Sequence, residues 1–217
     1  MGPIIAIGGY KTDWSEEGCF DTPFEVDQRI VKLTGKKKPK VLFIPTASSD
    51  GPGYIKSFQK VYGEKLGCPV EVLRLIAEKP PHAEIAAKIR AADLIYVGGG
   101  NTLMMMNKWR RLGVDRLLIE AHQRGTVLAG VSAGAICWYE WGVSDSRQFY
   151  NKDSHEYIQV RGLGLLKGMC CPHFGSSVYD KGYRMEGLRK ILKRHPKLKW
   201  VGIKDGEVVE QLSLEYV

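Results

Sequence analysis

Short apolar runs alternate along the chain with longer segments whose apolar residues recur at helical spacing. Residues 4–8, 40–45, 70–75, 93–97 and 126–130 read as strands, each stopped by Gly, Pro, Ser or Asn. Between them, residues 24–33, 54–66, 81–90, 102–112 and 114–124 have a helical pattern; in the third, Ile85 and Ile89 are four apart with alanines between them. The fifth strand runs directly into Ser132 and a helix expected over 132–138. Continuous apolar strands separated by helices imply a mainly parallel sheet covered on both faces, because the crossover helices pack there.

Beyond residue 140 the alternation weakens. Residues 163–169 read as a short strand or loop, 183–193 as a helix, and 200–209 as a terminal hairpin turning at Asp205-Gly206. There is no internal repeat, low-complexity linker or break in composition. The expectation is one α/β domain over residues 1–217.

Composition changes this picture little. Hydrophobic residues make up 44% and charged residues 26%, as in an ordinary soluble protein, and no run is long and apolar enough to span a bilayer. The first residues lack the basic region and cleavage site of a signal peptide, so cytoplasm is the expected location. A net charge of +8 raises the question of nucleic acid. The basic residues flank helix ends and loops, with no aromatic-basic, helix-turn-helix or zinc-finger pattern, so no nucleic-acid partner is expected. Cys19, Cys68, Cys137, Cys170 and Cys171 contain no C-x-x-C pair and lack flanking zinc ligands. They read as reduced, mostly buried thiols, Cys137 in the helix after Ser132, and no metal site is expected.

The chemistry concentrates at the carboxyl ends of the strands, where open parallel sheets bind ligands. Gly130-Val131-Ser132-Ala133-Gly134 fits G-x-S-x-G between a strand and a helix. In that setting small neighbours tolerate a sharp turn that projects the hydroxyl toward a helix N-terminus. The competing reading is a Ser that only caps the helix. Val97-Gly98-Gly99-Gly100-Asn101-Thr102 offers backbone N–H groups to an oxyanion or phosphate, and the Asn-Thr-Leu that follows disfavours a nucleotide loop. Its competing reading is a tight turn capped by Asn101 or Thr102. A nucleophilic serine needs a base. Among His82, His122, His155, His173 and His195, the imidazole of His173 has the most rigid surroundings, in Cys171-Pro172-His173-Phe174-Gly175, and it is favoured over His155.

Taken in order, Gly98-Gly99-Gly100-Asn101-Thr102, Gly130-Val131-Ser132-Ala133-Gly134-Ala135 and Pro172-His173-Phe174 resemble the peptidase E family. Those are serine peptidases with a class I glutamine amidotransferase-like (flavodoxin-like) fold, and the cyanophycinases are their relatives. Residues 43–47 and 202–206 extend the likeness over nearly the whole chain. The resemblance implies Ser132 as nucleophile and His173 as base. It implies an oxyanion and substrate-binding set of Gly99, Gly100, Asn101 and Ala133. The third member is expected a little beyond the nucleophile helix, at Asp145, with Glu140 and Asp153 as rivals. A small peptide substrate is expected, the chemistry requires no cofactor, and the expected assembly is a monomer or homodimer. The family's named enzyme cleaves dipeptides beginning with Asp, for which Arg147 or Arg184 is a candidate partner. Residues 136–141 depart from that enzyme's pattern, so the specificity stays open. A serine esterase or acyltransferase, and a non-catalytic small-ligand-binding member, are the alternative readings.

Overall fold

The structure, a computed structural model, describes residues 1–10, 24–176 and 182–211. Cys19 lies outside them. The elements run β1 (Ile4–Ile7), α1 (Phe24–Leu33), β2 (Val41–Ile44), α2 (Pro52–Phe58), β3 (Val70–Val72), α3 (His82–Ala91), β4 (Leu94–Val97), α4 (Thr102–Leu112), α5 (Val114–Gln123) and β5 (Val127–Val131). They continue with α6 (Ala133–Ile136), β6 (Tyr139–Ser144), β7 (Ile158–Arg161), β8 (Leu166–Pro172), α7 (Tyr183–Arg194), β9 (Trp200–Ile203) and β10 (Val208–Gln211).

The first sheet has the order β10-β1-β5-β4-β2-β3. All its pairs are parallel except β1 with β10. Side chains alternate between its faces with the period of a strand. Ile4, Ala6, Leu42, Ile44, Ile95 and Leu128 pack with α3, α4 and α5 through Ile85, Ile89, Met105, Trp109 and Leu118. Ile5, Ile7, Phe43, Tyr96 and Ala129 pack on the opposite side with Ile30 of α1 and Phe58 and Tyr62 beyond it. Both faces are therefore covered, as the continuous apolar strands require. A layered α/β architecture is the result.

A second, four-stranded sheet has the order β7-β6-β8-β9, with β6, β8 and β9 parallel and β7 antiparallel. Helix α7 covers one side through Leu188 and Ile191, against Val143, Met169 and Cys171. Cys170, the next residue along β8, joins the larger core instead. Adjacent residues of a strand point to opposite faces, so these two buried thiols cannot face each other.

Three local expectations change. The helix after Ser132 is a single turn, and Cys137 is its buried C-cap. The β-favouring aromatics of residues 138–141 lead instead into β6. Residues 200–209 are not a hairpin. β9 pairs with β8 in the second sheet and β10 with β1 in the first, so the chain changes sheets at residues 204–207. That crossing brings Asp205 beside Gly9, at the seam between the sheets. Finally, no helix among the described residues is long and apolar enough to cross a membrane.

Candidate active site

Ser132 is the junction between β5 and α6, with φ 54° and ψ −109°, a conformation that L residues rarely adopt. Its N–H donates to the Ile7 carbonyl at 3.0 Å, which ties the turn to β1. The flanking glycines have a steric reason. A Cβ on Gly134 would come within 2.1 Å of the Val97 carbonyl oxygen, and one on Gly130 within 2.4 Å of the Gly134 carbonyl oxygen. Only hydrogen at those positions lets the helix start against β4 and β5. Strain at Ser132 is thus held by close packing on two sides.

His173 follows the last residue of β8, and its N–H donates to the Gly8 carbonyl at 3.2 Å. Its backbone also takes a positive φ, 53°. The ring reaches Ser132 Oγ through Nε2 at 2.9 Å and Asp205 Oδ1 through Nδ1 at 2.6 Å. A carboxylate can only accept, so Nδ1–H donates to Asp205 and the Nε2 lone pair faces the serine hydroxyl. Burial pushes the Asp205 carboxyl up. The hydrogen bond and electrostatic attraction of His173, the Ser176 hydroxyl and the field of Arg184 outweigh it, and the group is held below the usual carboxylate range. Asp205 therefore stays an anion where the imidazole needs one.

Asp145 is not the acid on His173. It lies on the cleft wall with Oδ2 3.7 Å from Arg184 Nη2. Its neighbours hold it there. Ser144 Oγ and Ser146 Oγ are 2.8 Å apart, and Ser146 Oγ accepts the Leu103 N–H at 3.0 Å, pinning this turn to the start of α4. The two rivals lie elsewhere as well. Glu140 accepts from Lys167 and from the Gly168 N–H, and Asp153 is exposed in a turn. His155 is exposed and stacks on Tyr183 with ring centroids 4.1 Å apart.

The glycine loop lies alongside Ser132: a Cβ on Gly99 would sit 3.4 Å from the serine Cβ. The Gly99 N–H donates to the Tyr54 hydroxyl at 3.4 Å. Ala133, next to the nucleophile, opens α6, so its N–H has no place in the helical ladder. Asn101 departs from the expected substrate-binding set. It is buried, and its Oδ1 accepts the Met104 N–H at 3.0 Å as the N-cap of α4. The cleft over these groups has a volume of about 420 Å³, lined by Ser132, His173, Gly99, Gly100, Ser48, Tyr54, Asp145, Phe149 and Arg184. Arg184 is 3% exposed, with its guanidinium 4.7 Å from the Tyr157 ring centre, whereas Arg147 is an exposed partner of Glu156.

A strained serine, a histidine on its hydroxyl and adjacent backbone donors form an acyl-transfer geometry. The sequence profile of peptidase family S51 matches residues 15–212. The chain belongs to peptidase family S51. It is a serine-type peptidase. The sequence is 37% identical over 174 residues to the uncharacterized peptidase YgaJ of Bacillus subtilis (strain 168), covering 80% of this chain and 69% of that one. It is 28% identical over 131 residues to peptidase E of Citrobacter koseri, covering 59% and 56%. A crystal structure of a peptidase from an acI-B1 actinobacterium shares the fold, with a TM-score of 0.69 at 20% identity, over 97% of this chain and 83% of that one.

Asp205 is the residue that sequence reasoning missed at this S51 site. The signal for it was a carboxylate just past an apolar strand, at the sheet edge where the serine and histidine also lie. Reading residues 200–209 as a hairpin placed it on a turn tip instead.

Proposed function

We propose that the protein hydrolyses short peptides through an acyl-enzyme on Ser132, with His173 as base and Asp205 as the acid that orients it. The observation that carries this reading is the continuous hydrogen-bonded path from Ser132 Oγ through the imidazole to Asp205, 2.9 Å and then 2.6 Å. The Ser132 proton passes to His173 Nε2 as Oγ bonds to the scissile carbonyl carbon. Backbone N–H groups of the glycine loop and Ala133 receive the negative oxygen. The C–N bond then breaks, and His173 returns the proton to the departing amine. Water, deprotonated by the same imidazole, releases the acyl group. Asp205 remains ionised throughout and stabilises the imidazolium.

The charges on the cleft wall suit a peptide with a free N-terminus. Asp145, 35% exposed at the side chain, complements an α-ammonium, and Arg184 complements a carboxylate. An N-terminal Asp presents both groups from one residue, so dipeptides beginning with Asp are the proposed substrates. Turnover of a panel of Asp-X, Ala-X and N-acetylated Asp-X dipeptides by wild type and Ser132→Ala tests this. The wild type should prefer free Asp-X, and the variant should lose turnover of all of them. Undiminished hydrolysis by Ser132→Ala would rule out the acyl-enzyme, and equal rates across the panel would rule out the specificity.

A further inference from the structure

The glycine loop beside Ser132 rests on half-buried Tyr54, which leads into a cluster of buried tyrosines. Tyr54 accepts the Gly99 N–H and shares a 2.9 Å hydrogen bond with the Tyr10 hydroxyl. Tyr10 packs in the same cluster as Tyr96, on the strand that leads into the loop. The ring of Tyr96 lies 5.7 Å from that of Tyr62, whose hydroxyl donates to the buried Asp27 of α1 at 2.8 Å. These phenols sit in an otherwise apolar cluster, alongside the stacked rings of Phe43 and Phe58.

Packing alone does not explain the hydroxyls. Phenylalanine at these positions would fill the same space without the cost of desolvating a polar group. Polar groups that bond one another inside an apolar cluster do something else: they fix one arrangement of the segments they join. Here the bonds join α2 both to the loop that borders the nucleophile and to Tyr10, beyond β1, and Tyr62 to α1. The contact is steric as well as polar, since a Cβ on Gly98 would come within 2.7 Å of Tyr54 Cε1.

We propose that Tyr54 is a positioning residue for oxyanion stabilisation: its hydroxyl anchors the Gly99 peptide, so that the next N–H, that of Gly100, is presented beside Ser132 Oγ. This rests on the acyl-enzyme reading above. Tyr54 acts through the loop and takes no proton. Burial pushes its hydroxyl up to about 12, so it stays neutral wherever the enzyme works.

Steady-state kinetics of Tyr54→Phe on the best dipeptide of the panel test the proposal. Loss of a direct oxyanion donor typically lowers kcat by about a hundredfold or more, so loss of an anchor should lower it about tenfold, with KM changed by less than about twofold. The ratio of wild-type to variant kcat should be constant from about pH 6 to about pH 9, because the hydroxyl removed does not titrate in that range. Gly98→Ala, which presses on the ring and keeps the hydroxyl, should lower kcat similarly. An unchanged or raised kcat in Tyr54→Phe would overturn the proposal. A rise confined to KM would make Tyr54 a substrate contact, and a pH-dependent ratio would make it an acid or base; either overturns it too. Phosphonate labelling of Ser132 in the wild type with full-rate Tyr54→Phe would sink this proposal alone. Turnover surviving in Ser132→Ala would sink the acyl-enzyme reading with it.

Discussion

His173 and Asp205, just past the ends of the neighbouring strands β8 and β9 and thirty-two positions apart, meet at 2.6 Å. The parallel register of that pair, Pro172 opposite Ile203, sets both residues at one sheet edge. The contact separates the roles of two carboxylates. Asp205→Asn should lower kcat by about four orders of magnitude, because an amide no longer holds the imidazole in the tautomer that accepts the serine proton. Asp145→Asn should leave kcat within about threefold and raise KM for free dipeptides, with little effect on N-acetylated ones. Measuring kcat and KM for both variants on both substrate types checks this.

The lowered pKa of Asp205 also makes a statement about stability. A carboxyl held below its ordinary value in the folded state stabilises the fold when ionised. That contribution is fully present above the unfolded value of about 4 and is lost as pH falls through the lower folded value. Thermal unfolding from about pH 7 down to about pH 3 should show Asp205→Asn less stable than wild type at neutral pH, with the gap closing in acid. A gap that widened in acid would reverse the sign assigned here.

Gly9 is the steric guard of the same pair. A Cβ there would come within 2.2 Å of Asp205 Oδ1 and 2.3 Å of the His173 ring. Gly9→Ala must displace one of the two, and a misplaced catalytic group costs about a hundredfold or more in rate. The expected outcome is that loss of kcat with an unchanged far-ultraviolet circular dichroism spectrum.

Much of the site was legible because its signals are local. The G-x-S-x-G turn, the glycine loop and His173 each follow an apolar strand, and parallel strands deliver their carboxyl ends to one edge. Asp205 was not legible in the same way. Which strand pairs with which is a long-range fact, and a run of residues around Asp205-Gly206 looks the same whether its two halves pair with each other or with different sheets. Strands β6 and β7 were missed for a related reason. Tyr139–Ser144 has no clean alternation of buried and exposed residues, so period-two patterning does not reveal it. Asn101 illustrates a different limit. A polar residue after glycines suits either a ligand or a helix cap, and only the 3.0 Å bond from Met104 decides for the cap.

Arg184 tests the proposed substrate. Its buried guanidinium is planar and double-pronged, and an ammonium does not replace that geometry. Arg184→Lys should lower kcat/KM for Asp-X by about tenfold or more while changing that for Ala-X by less than about threefold. Parallel losses on both substrates would assign Arg184 to folding rather than to specificity.

The most direct test of the relay is the rate at which a fluorophosphonate reacts, with the modified residue located by mass spectrometry. One adduct, on Ser132, should form rapidly in the wild type. Both His173→Ala and Asp205→Asn should slow it by about three orders of magnitude or more, because an unactivated serine is a weak nucleophile. An adduct on another residue, or an undiminished rate in His173→Ala, would contradict the relay.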